Sequence, residues 1–441
     1  MNKSIILSFT VCISSLLSST PEIFKDRREA VRKQLGPTSV MILSTAKVYL
    51  RNGDVEHEFR PDSDFWYLTG HPEQETKLLL IGKDFKGKEM VPFSDEIIFT
   101  RPGNPRLEVW TGKRLGVEGV KQELGFQFVE VTDSFKVSIE KLMPFVDTLY
   151  ITMSGRNIHT QNLPDPSEEL FDKDKFSDVT VLNAGTIIHP LRHIKSPDEI
   201  ELLQKAIDIT GEGIISAMQR VKPTLYENNI EATIEFVFRD LGSERLGFPS
   251  IVGSGENSTT LHYTTNDRQM KFRDLLLMDV GAEYHMYTAD ITRTIPVSGR
   301  FSYIQREIYS YVLEAQKIAF DSVEIGMTLK DIHKIAKNYL NEKGVGQYFI
   351  HGIGHWLGLD VHDVGGRKAK IEVGSVFTIE PGIYIAIDDT TALEKYRGIG
   401  IRIEDDVIMT ENGPKWLSAH IPKEIDEIET IMRQGRRKVR H

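Results

Sequence analysis

Short apolar runs separated by turn-forming residues dominate the first part of the chain. Runs of this kind are typical of strands when Gly, Pro, Asn and Asp bound them. The predicted strands are Val40 to Leu43, Lys77 to Ile81, Glu96 to Thr100, Phe128 to Val131 and Thr148 to Met153. This alternation of short apolar runs with turns predicts a mixed α/β domain over residues 21–182.

The second part of the chain contains a strong helix-start signal, Ser196-Pro197-Asp198-Glu199. The serine can cap the helix, the proline suits its first position, and the glutamate can return a hydrogen bond to the cap. This pattern predicts a helix to about Val221. Further predicted elements are helices near Leu225 to Leu241, Tyr303 to Val323 and Leu329 to Glu342, and strands near Leu275 to Val280 and Tyr284 to Thr294, with more strands reaching Ile408.

Two breaks separate these parts. A loop rich in Pro, Asp and Asn spans Asn162 to Ser167, and a second break runs from Asn183 to Pro190. Because 441 residues exceed one ordinary core, two domains are expected, the larger holding roughly 250 residues. We place the second domain at residues 183–432.

The second domain also repeats itself. Residues 223–227 resemble residues 327–331, and residues 279–281 resemble residues 380–382, at offsets of about 104 and 101 residues. Each similarity alone is ordinary helix-capping or turn chemistry. Both at nearly one offset indicate an internal duplication, which would place a site on its pseudo-twofold axis.

Composition and charge narrow the class of protein. Apolar residues make up 40% and charged residues 27%, as in globular proteins. The formal net charge of −10 argues against nucleic acid as a partner. The single cysteine, Cys12, excludes an intrachain disulfide and a multi-cysteine metal site. Residues 433–441 are expected to form a solvated basic tail after the last helix.

The amino-terminal extension, residues 1–20, carries a weak export signal. Ser4 to Leu17 is apolar and follows Lys3, as in the core of a signal peptide, but no good small-residue cleavage site follows. No stretch reaches the ~20 apolar residues that span a bilayer. We therefore expect no stable membrane association.

Strands that end in acids are the first chemical signal. Leu275 to Met278 leads into Asp279, and Asp290 follows a second β-like run. Either aspartate alone would most often be a turn former or a cap. Two antiparallel strands would bring them together. Glu380 repeats the arrangement after a strand that ends at Ile379, where an unpaired buried carboxylate would be strongly destabilising.

A glycine-rich segment supplies imidazoles. His351, His355 and His362 alternate with glycines, and Gly352 and Gly354 disfavour a regular helix. One such histidine would more often be a packed core residue than a ligand. Three of them in one glycine-rich segment favour a site.

The last candidates are Arg402 and Glu404, which period-two alternation places on one face of a strand. A structural ion pair between them is the alternative interpretation. Combined, the carboxylates and one imidazole carry a charge that two divalent cations balance and one does not. The candidate ligands are Asp279, Asp290, His355, Glu380 and Glu404.

Two such cations, bridged by carboxylates and a hydroxide, create a nucleophile at neutral pH and polarise a carbonyl, which suits peptide or amide hydrolysis. Oxygen-rich ligation with one nitrogen favours Mn²⁺, with Zn²⁺ and Co²⁺ as alternatives.

At these residues the chain resembles the aminopeptidase P family of metallopeptidases, which have the pita-bread fold. The likeness runs from about Pro21 almost to Met432, and residues 64–70 and 108–115 resemble that family's non-catalytic amino-terminal domain. It implies an Xaa-Pro aminopeptidase acting on peptides with proline second, with Asp290 and Glu404 bridging both metal ions. It also implies a homodimer or homotetramer in the cytoplasm, or an exported protein if residues 1–20 are a functional signal peptide.

The same resemblance implies roles around the metals. His262, His351 and His362 would position substrate and stabilise the tetrahedral intermediate. Glu380 would move a proton between the attacking hydroxide and the leaving nitrogen, and Arg402 would orient carboxylates.

Three alternatives remain open: an Xaa-Pro dipeptidase on the same fold, a non-catalytic peptide-binding protein, and a creatinase-like hydrolase without metal. The last would replace several ligand carboxylates, and none is replaced here.

Overall fold

The computed structural model describes residues 21–86, 95–152 and 176–438. The chain divides into two compact units, residues 1–185 and 186–441. The sequence placed this division at residue 183. The loop at Asn162 to Ser167 and the apolar run at Ser4 to Leu17 lie outside the described residues.

The first unit is built on a mixed six-stranded sheet. The strands of the whole unit are β1 (Ser39–Ser44), β2 (Leu50–Asn52), β3 (Val55–Glu56), β4 (Lys77–Ile81), β5 (Glu96–Thr100), β6 (Val129–Val131), β7 (Thr148–Ile151) and β8 (Thr180–Asn183). The sheet order is β6-β5-β4-β1-β7-β8, while β2 and β3 form a separate hairpin. A strand is present at each predicted position in this unit; the one predicted from Thr148 to Met153 ends at Ile151, and Met153 lies outside the described residues.

Helices surround that sheet: α1 (Pro21–Arg32), α2 (Ser63–Thr69), α3 (Pro105–Thr111), α4 (Gly116–Leu124) and α5 (Phe135–Leu142). Local signals explain their ends. The Asp62 side chain accepts from Phe65 N and caps α2, and Gly70 ends it in the left-handed region at φ 63°. One face of the sheet packs on α5 through Val40, Leu79, Phe99 and Phe135, which fixes the mixed α/β architecture.

The first half of the second unit begins with α6 (Gly185–His193), α7 (Pro197–Arg220) and α8 (Glu227–Asp240). The predicted capping box forms, because Ser196 and Glu199 exchange hydrogen bonds with each other's backbone. The strands that follow are β9 (Arg245–Leu246), β10 (Ile251–Ser254), β11 (Leu275–Val280), β12 (Ala282–Tyr284), β13 (Tyr287–Thr288) and β14 (Ile291–Pro296).

The second half repeats this plan with α9 (Tyr303–Asp321), α10 (Leu329–Glu342), β15 (Val376–Ile379), β16 (Gly382–Ile385), β17 (Ile399–Arg402), β18 (Asp405–Thr410) and β19 (Gly413–Trp416), before α11 (Ile425–Lys438). In each half an outer antiparallel pair, β11 with β14 or β15 with β18, flanks an inner antiparallel hairpin, β12 with β13 or β16 with β17. The predicted pita-bread architecture and its duplication are confirmed.

Two predictions need correction. The run from Tyr284 to Thr294 is not one strand, because the chain reverses at His285 and Met286, whose φ angles of 46° and 73° form a tight hairpin turn. The basic residues from Arg433 do not follow the last helix, because α11 continues to Lys438. Among the described residues, no helix combines the length and hydropathy needed to cross a membrane.

Candidate metal centre and substrate cleft

Each half of the duplicated unit contributes two carboxylates at matching positions. Asp279 lies in β11 and Asp290 immediately precedes β14. In the second half, Glu380 immediately follows β15 and Glu404 immediately precedes β18. Because both strand pairs are antiparallel, the two acids of each half lie at the same end of their strands.

These acids line a cleft of about 1400 Å³. The structure brings every predicted site residue to this cleft: His262, Asp279, Asp290, His351, His355, His362, Glu380, Arg402 and Glu404. Their placement is therefore observed, while their individual roles remain predictions.

The tightest group consists of Asp290, His355 and Glu404, whose ligand atoms all lie within 4.8 Å of one another. His355 Nε2 is 3.2 Å from Asp290 Oδ2 and 3.7 Å from Glu380 Oε1. Asp279 is also close, since its charge helps to raise the pKa of Asp290. Ligands from both halves thus converge at the floor of the cleft.

The electrostatics of this floor suit divalent cations. Burial raises the pKa of Asp290 and Glu404 well above their usual range, and the neighbouring carboxylates add to both shifts. Burial also raises the pKa of Glu380. One oxygen each of Asp279 and Asp290 is buried without a hydrogen-bond partner among the described residues. Crowded carboxylates with unpaired oxygens and a single imidazole fit a pair of divalent ions.

His355 is held in the orientation that a ligand needs. Its Nδ1 lies 3.1 Å from the carbonyl oxygen of Trp356, which can only accept, so Nδ1 donates there and Nε2 is the ring nitrogen left to bind a cation among the acids. The backbone of His355 pairs with Thr378 of β15. A Cβ on the preceding Gly354 would come within 2.0 Å of the Thr378 carbonyl oxygen, so this close approach requires glycine.

Arg402 does not form the ion pair with Glu404 that was the alternative interpretation. Its Nη2 donates to Oδ2 of Asp279 in the other half. Its Nε donates to Thr292 Oγ1 at 3.0 Å, and that hydroxyl donates to Glu404 Oε2 at 2.6 Å. Arg402 therefore orients one carboxylate directly and another through Thr292.

His351 forms a wall of the cleft beside Glu380. Its Nδ1 is 3.6 Å from Glu380 Oε2, and its Nε2 is 2.9 Å from the hydroxyl of Tyr384. The same hydroxyl accepts from Arg402 Nη1 at 2.7 Å. Burial, and then the charge of Arg402, lowers the pKa of His351 to about 3, so the ring is neutral at pH 7.

His362 and His262 lie on the exposed side of the cleft. The rings of His362 and His355 are 4.3 Å apart and perpendicular. Burial, followed by the charges of His355 and His262, lowers the pKa of His362 to about 4. A neutral imidazole in this position can donate a hydrogen bond to a substrate oxygen.

Buried polar groups hold the segments that carry these histidines. Glu227 accepts from Ser254 N at 2.6 Å, Tyr263 OH at 2.9 Å and Arg268 N at 3.0 Å, and so fixes the chain on both sides of His262. Burial and the bond to Glu227 raise the pKa of Tyr263 to about 12.

Asp363, next to His362, is fixed in a similar way. It accepts from Arg192 at 2.5 Å and from Lys195 at 2.8 Å, and the side chains of Lys195 and Asp363 are each 1% exposed. The ion pair therefore fixes the backbone position from which His362 projects.

No role was predicted for Thr292, Tyr384, Glu227 or Asp363. Tyr384 could have been found, because it alternates with Gly382, which pairs with Arg402 across the β16–β17 hairpin. Glu227 resembled an ordinary acid in the first turn of a helix. Nothing local in the sequence distinguished it as the anchor of a distant loop.

Comparisons with known proteins agree with this geometry. The model of metallopeptidase family M24 matches residues 201–411, and that of the aminopeptidase P amino-terminal domain matches residues 24–150. An Xaa-Pro aminopeptidase of Haemophilus influenzae is 39% identical over 433 residues, covering 93% of this chain and 97% of that protein. The chain belongs to the aminopeptidase P family of metallopeptidases.

Solved structures of this aminopeptidase P family extend the likeness to three dimensions. The Pseudomonas aeruginosa aminopeptidase PepP has a TM-score of 0.86 and 34% identity, and the match covers 96% of this chain and 100% of the PepP chain. Escherichia coli aminopeptidase P with the inhibitor Pro-Leu has a TM-score of 0.84 and 34% identity, covering 95% and 99%. The expected fold, the enzyme class of metallo-aminopeptidase and the use of divalent metal are confirmed.

Proposed function

We propose that this chain releases the first residue of peptides whose second residue is proline. The observation that carries the proposal is the convergence of carboxylates from both halves with His355 at the floor of one cleft. The activities named for its relatives support the proposal, whereas the dipeptidase alternative is not favoured by them.

We further propose that two divalent cations, most simply Mn²⁺, are held by Asp279, Asp290, His355, Glu380 and Glu404. Asp290 and Glu404 would bridge both ions. When bound, such ions polarise a carbonyl and lower the pKa of water to near neutrality. The oxygen-rich ligand set supports Mn²⁺, and elemental analysis would distinguish it from Zn²⁺ and Co²⁺.

The protein's own groups would handle the proton and the substrate. Glu380, whose pKa burial raises, suits a group that accepts a proton from water and passes it to the leaving proline nitrogen. His351, His362 and His262 line the cleft beside it and would hold the substrate carbonyl as charge develops on its oxygen. Arg402 would keep Asp279 and Glu404 oriented.

Recognition of proline follows from its chemistry. An Xaa-Pro bond is a tertiary amide without an N–H. The enzyme therefore cannot accept a hydrogen bond from that nitrogen and must recognise the proline ring instead. Apolar residues are available in the cleft at Phe248, Pro249, Ile251 and Leu261. We propose that part of this apolar wall receives the pyrrolidine ring.

The oligomer and the compartment are also proposals. We propose a homodimer or homotetramer, which the exposed apolar side chains of α3 support, since Val109 and Trp110 are 82% and 85% exposed. Light scattering on the full chain tests this. We propose the cytoplasm as the compartment, and export if residues 1–20 act as a signal peptide.

The decisive experiment combines elemental analysis with peptide cleavage. Metal content of the purified protein is measured, and release of the first residue is followed on Ala-Pro-Ala, Ala-Pro and Ala-Ala-Ala. We expect two metal ions per chain, rapid cleavage of Ala-Pro-Ala and loss of cleavage after chelation. Preference for Ala-Pro would support the dipeptidase, and equal cleavage of Ala-Ala-Ala would refute proline specificity.

A further inference from the structure

The outer part of the cleft carries basic residues, whereas its floor carries acids. Lys330, in the first turn of α10, and Arg367 and Lys368, which follow the His362 segment, all line it. Each of the three is exposed to solvent. We call these residues the basic rim.

The charge of the basic rim is not balanced locally. Besides the four acids of the metal centre, the only other acid lining the cleft in the described ranges is Asp363, which bonds to Arg192 and Lys195. No carboxylate in residues 21–86, 95–152 or 176–438 lies within ion-pair distance of Lys330, Arg367 or Lys368. Such a local excess of positive charge is notable on a chain with a net charge of −10.

A chain of ring contacts locates the rim relative to the chemistry. His333, one turn after Lys330, lines the cleft and packs on Phe349 with ring centroids 4.9 Å apart. Phe349 packs on His351 at 5.1 Å, and His351 Nδ1 is 3.6 Å from Glu380. An extended peptide advances about 3.3 Å per residue. A substrate that leaves the cleft along this wall therefore runs from Glu380 towards the first turn of α10.

The histidine in this chain of contacts does not supply the charge. Burial, and then the charge of Lys337, lowers the pKa of His333, so at pH 7 the positive charge comes from the lysines and arginine. Flexible ammonium groups at an open edge suit an anionic group that arrives with some freedom of position.

We propose that the basic rim binds a carboxylate of the substrate, two or three residues after the cleaved bond, and so favours peptides that end or carry an acid there. This inference rests on the proposed Xaa-Pro aminopeptidase activity. The carboxylate belongs either to the free end of a short peptide or to an Asp or Glu side chain, which present the same chemistry.

Four peptides separate these sources. Ala-Pro-Ala-Ala has a free terminal carboxylate, and its amide, Ala-Pro-Ala-Ala-NH₂, has none. Ala-Pro-Glu-Ala-NH₂ and Ala-Pro-Lys-Ala-NH₂ differ only in the charge of the third side chain. We expect kcat/KM for the acid-bearing peptides to exceed that for the neutral amide by roughly three- to ten-fold at low salt. The lysine peptide should be the poorest.

Variants assign the preference to the rim. In Lys330→Ala/Lys368→Ala, the ratio of kcat/KM for acid to amide should fall towards one, through KM. The matched control is Lys334→Ala, because Lys334 lies on the same helix but pairs with Asp331 at 3.2 Å and does not line the cleft. Raising the ionic strength should shrink the ratio in the parent enzyme, since exposed charges are screened.

The outcomes are distinguishable. Cleavage of all four peptides at equal kcat/KM, or a preference that survives in the double variant, overturns the rim proposal while the aminopeptidase assignment stands. A preference only for the free terminus identifies the chain end as the ligand, and a preference only for the Glu peptide identifies the side chain. Failure to cleave any of them refutes the proposed function itself.

Discussion

Arg402 donates a hydrogen bond to Asp279 Oδ2 across the two halves of the duplicated unit, while Asp279 Oδ1 is buried with no hydrogen-bond partner in the part of the chain that the structure describes. The guanidinium also bonds Thr292 and Tyr384. One buried side chain thus fixes the direction in which a carboxylate presents its remaining oxygen to the centre.

Arg402→Lys should reduce activity by about 10- to 100-fold and weaken metal binding, because an ammonium cannot hold three partners in the geometry of a guanidinium fork. Titration of metal-free enzyme with Mn²⁺, followed by activity, measures both effects. Arg397→Lys serves as the control, because Arg397 lies in a loop and bonds the backbone carbonyls of residues 390 and 392. An unchanged titration would contradict the orienting role.

Asp290→Asn should abolish metal binding and activity together, because a neutral amide cannot bridge two cations. The same change removes one charge from a crowded set of buried acids. We therefore expect the metal-free variant to melt at a higher temperature than the metal-free parent, and to gain nothing from added Mn²⁺. Calorimetry with and without chelator checks this. Near-normal activity without metal would refute the mechanism.

His362→Ala should lower turnover by roughly 100-fold while metal content stays at the parental level. The reason is that His362 touches the ring of His355 but lies outside the tight ligand group. Elemental analysis and kcat are measured on the same preparation, with His420→Ala, at the exposed pair with Asp208, as control. Loss of metal would move His362 into the ligand set.

His71 should make the first unit sensitive to acid. Its Nδ1 accepts from Glu73 N at 3.1 Å, its Nε2 is 3.2 Å from Thr100 Oγ1, and burial followed by the charge of Arg101 lowers its pKa to about 4. Between pH ~6.5 and ~4 the unfolded chain binds the proton more readily than the folded one, so stability is complete above this window and falls through it.

The expected loss from His71 is at most about 3 kcal/mol at pH 4. Hydrogen exchange at the amides of β4 and β5, measured from pH 7 to 4, reports on this unit alone. His71→Gln should flatten the pH dependence, and His57→Gln, at an exposed position, should not. Equal slopes for His71→Gln and the parent would contradict the prediction.

The elements of this fold were predictable where local signals agree. The capping box at Ser196 and Glu199, and the strands leading into Asp279 and Glu380, are signals of short range, and the structure has helix and strands there. The hairpin at His285 and Met286 was missed because neither residue is a usual choice for positive φ. The turn is held by contacts outside it, since His285 N donates to Glu244 Oε2 at 2.9 Å and Met286 is buried.

The candidate site was predictable as a set of residues but not as a network. Acids at strand ends and histidines among glycines can be recognised from the sequence alone. The partner of Arg402 does not, because Asp279 lies 123 positions away and the two meet only once both halves fold. Thr292 and Tyr384 matter for the same reason, because both bond to Arg402 once the halves have folded together.

The duplication is complete for the acids but not for their neighbours. Asp279 matches Glu380 and Asp290 matches Glu404, yet Arg402, two positions before Glu404, corresponds to Thr288 before Asp290. The imidazole of His355 also comes from the second half alone. The proposed ions would therefore sit in unequal ligand fields, one with nitrogen and one with oxygen only, and should load and dissociate in two separate steps.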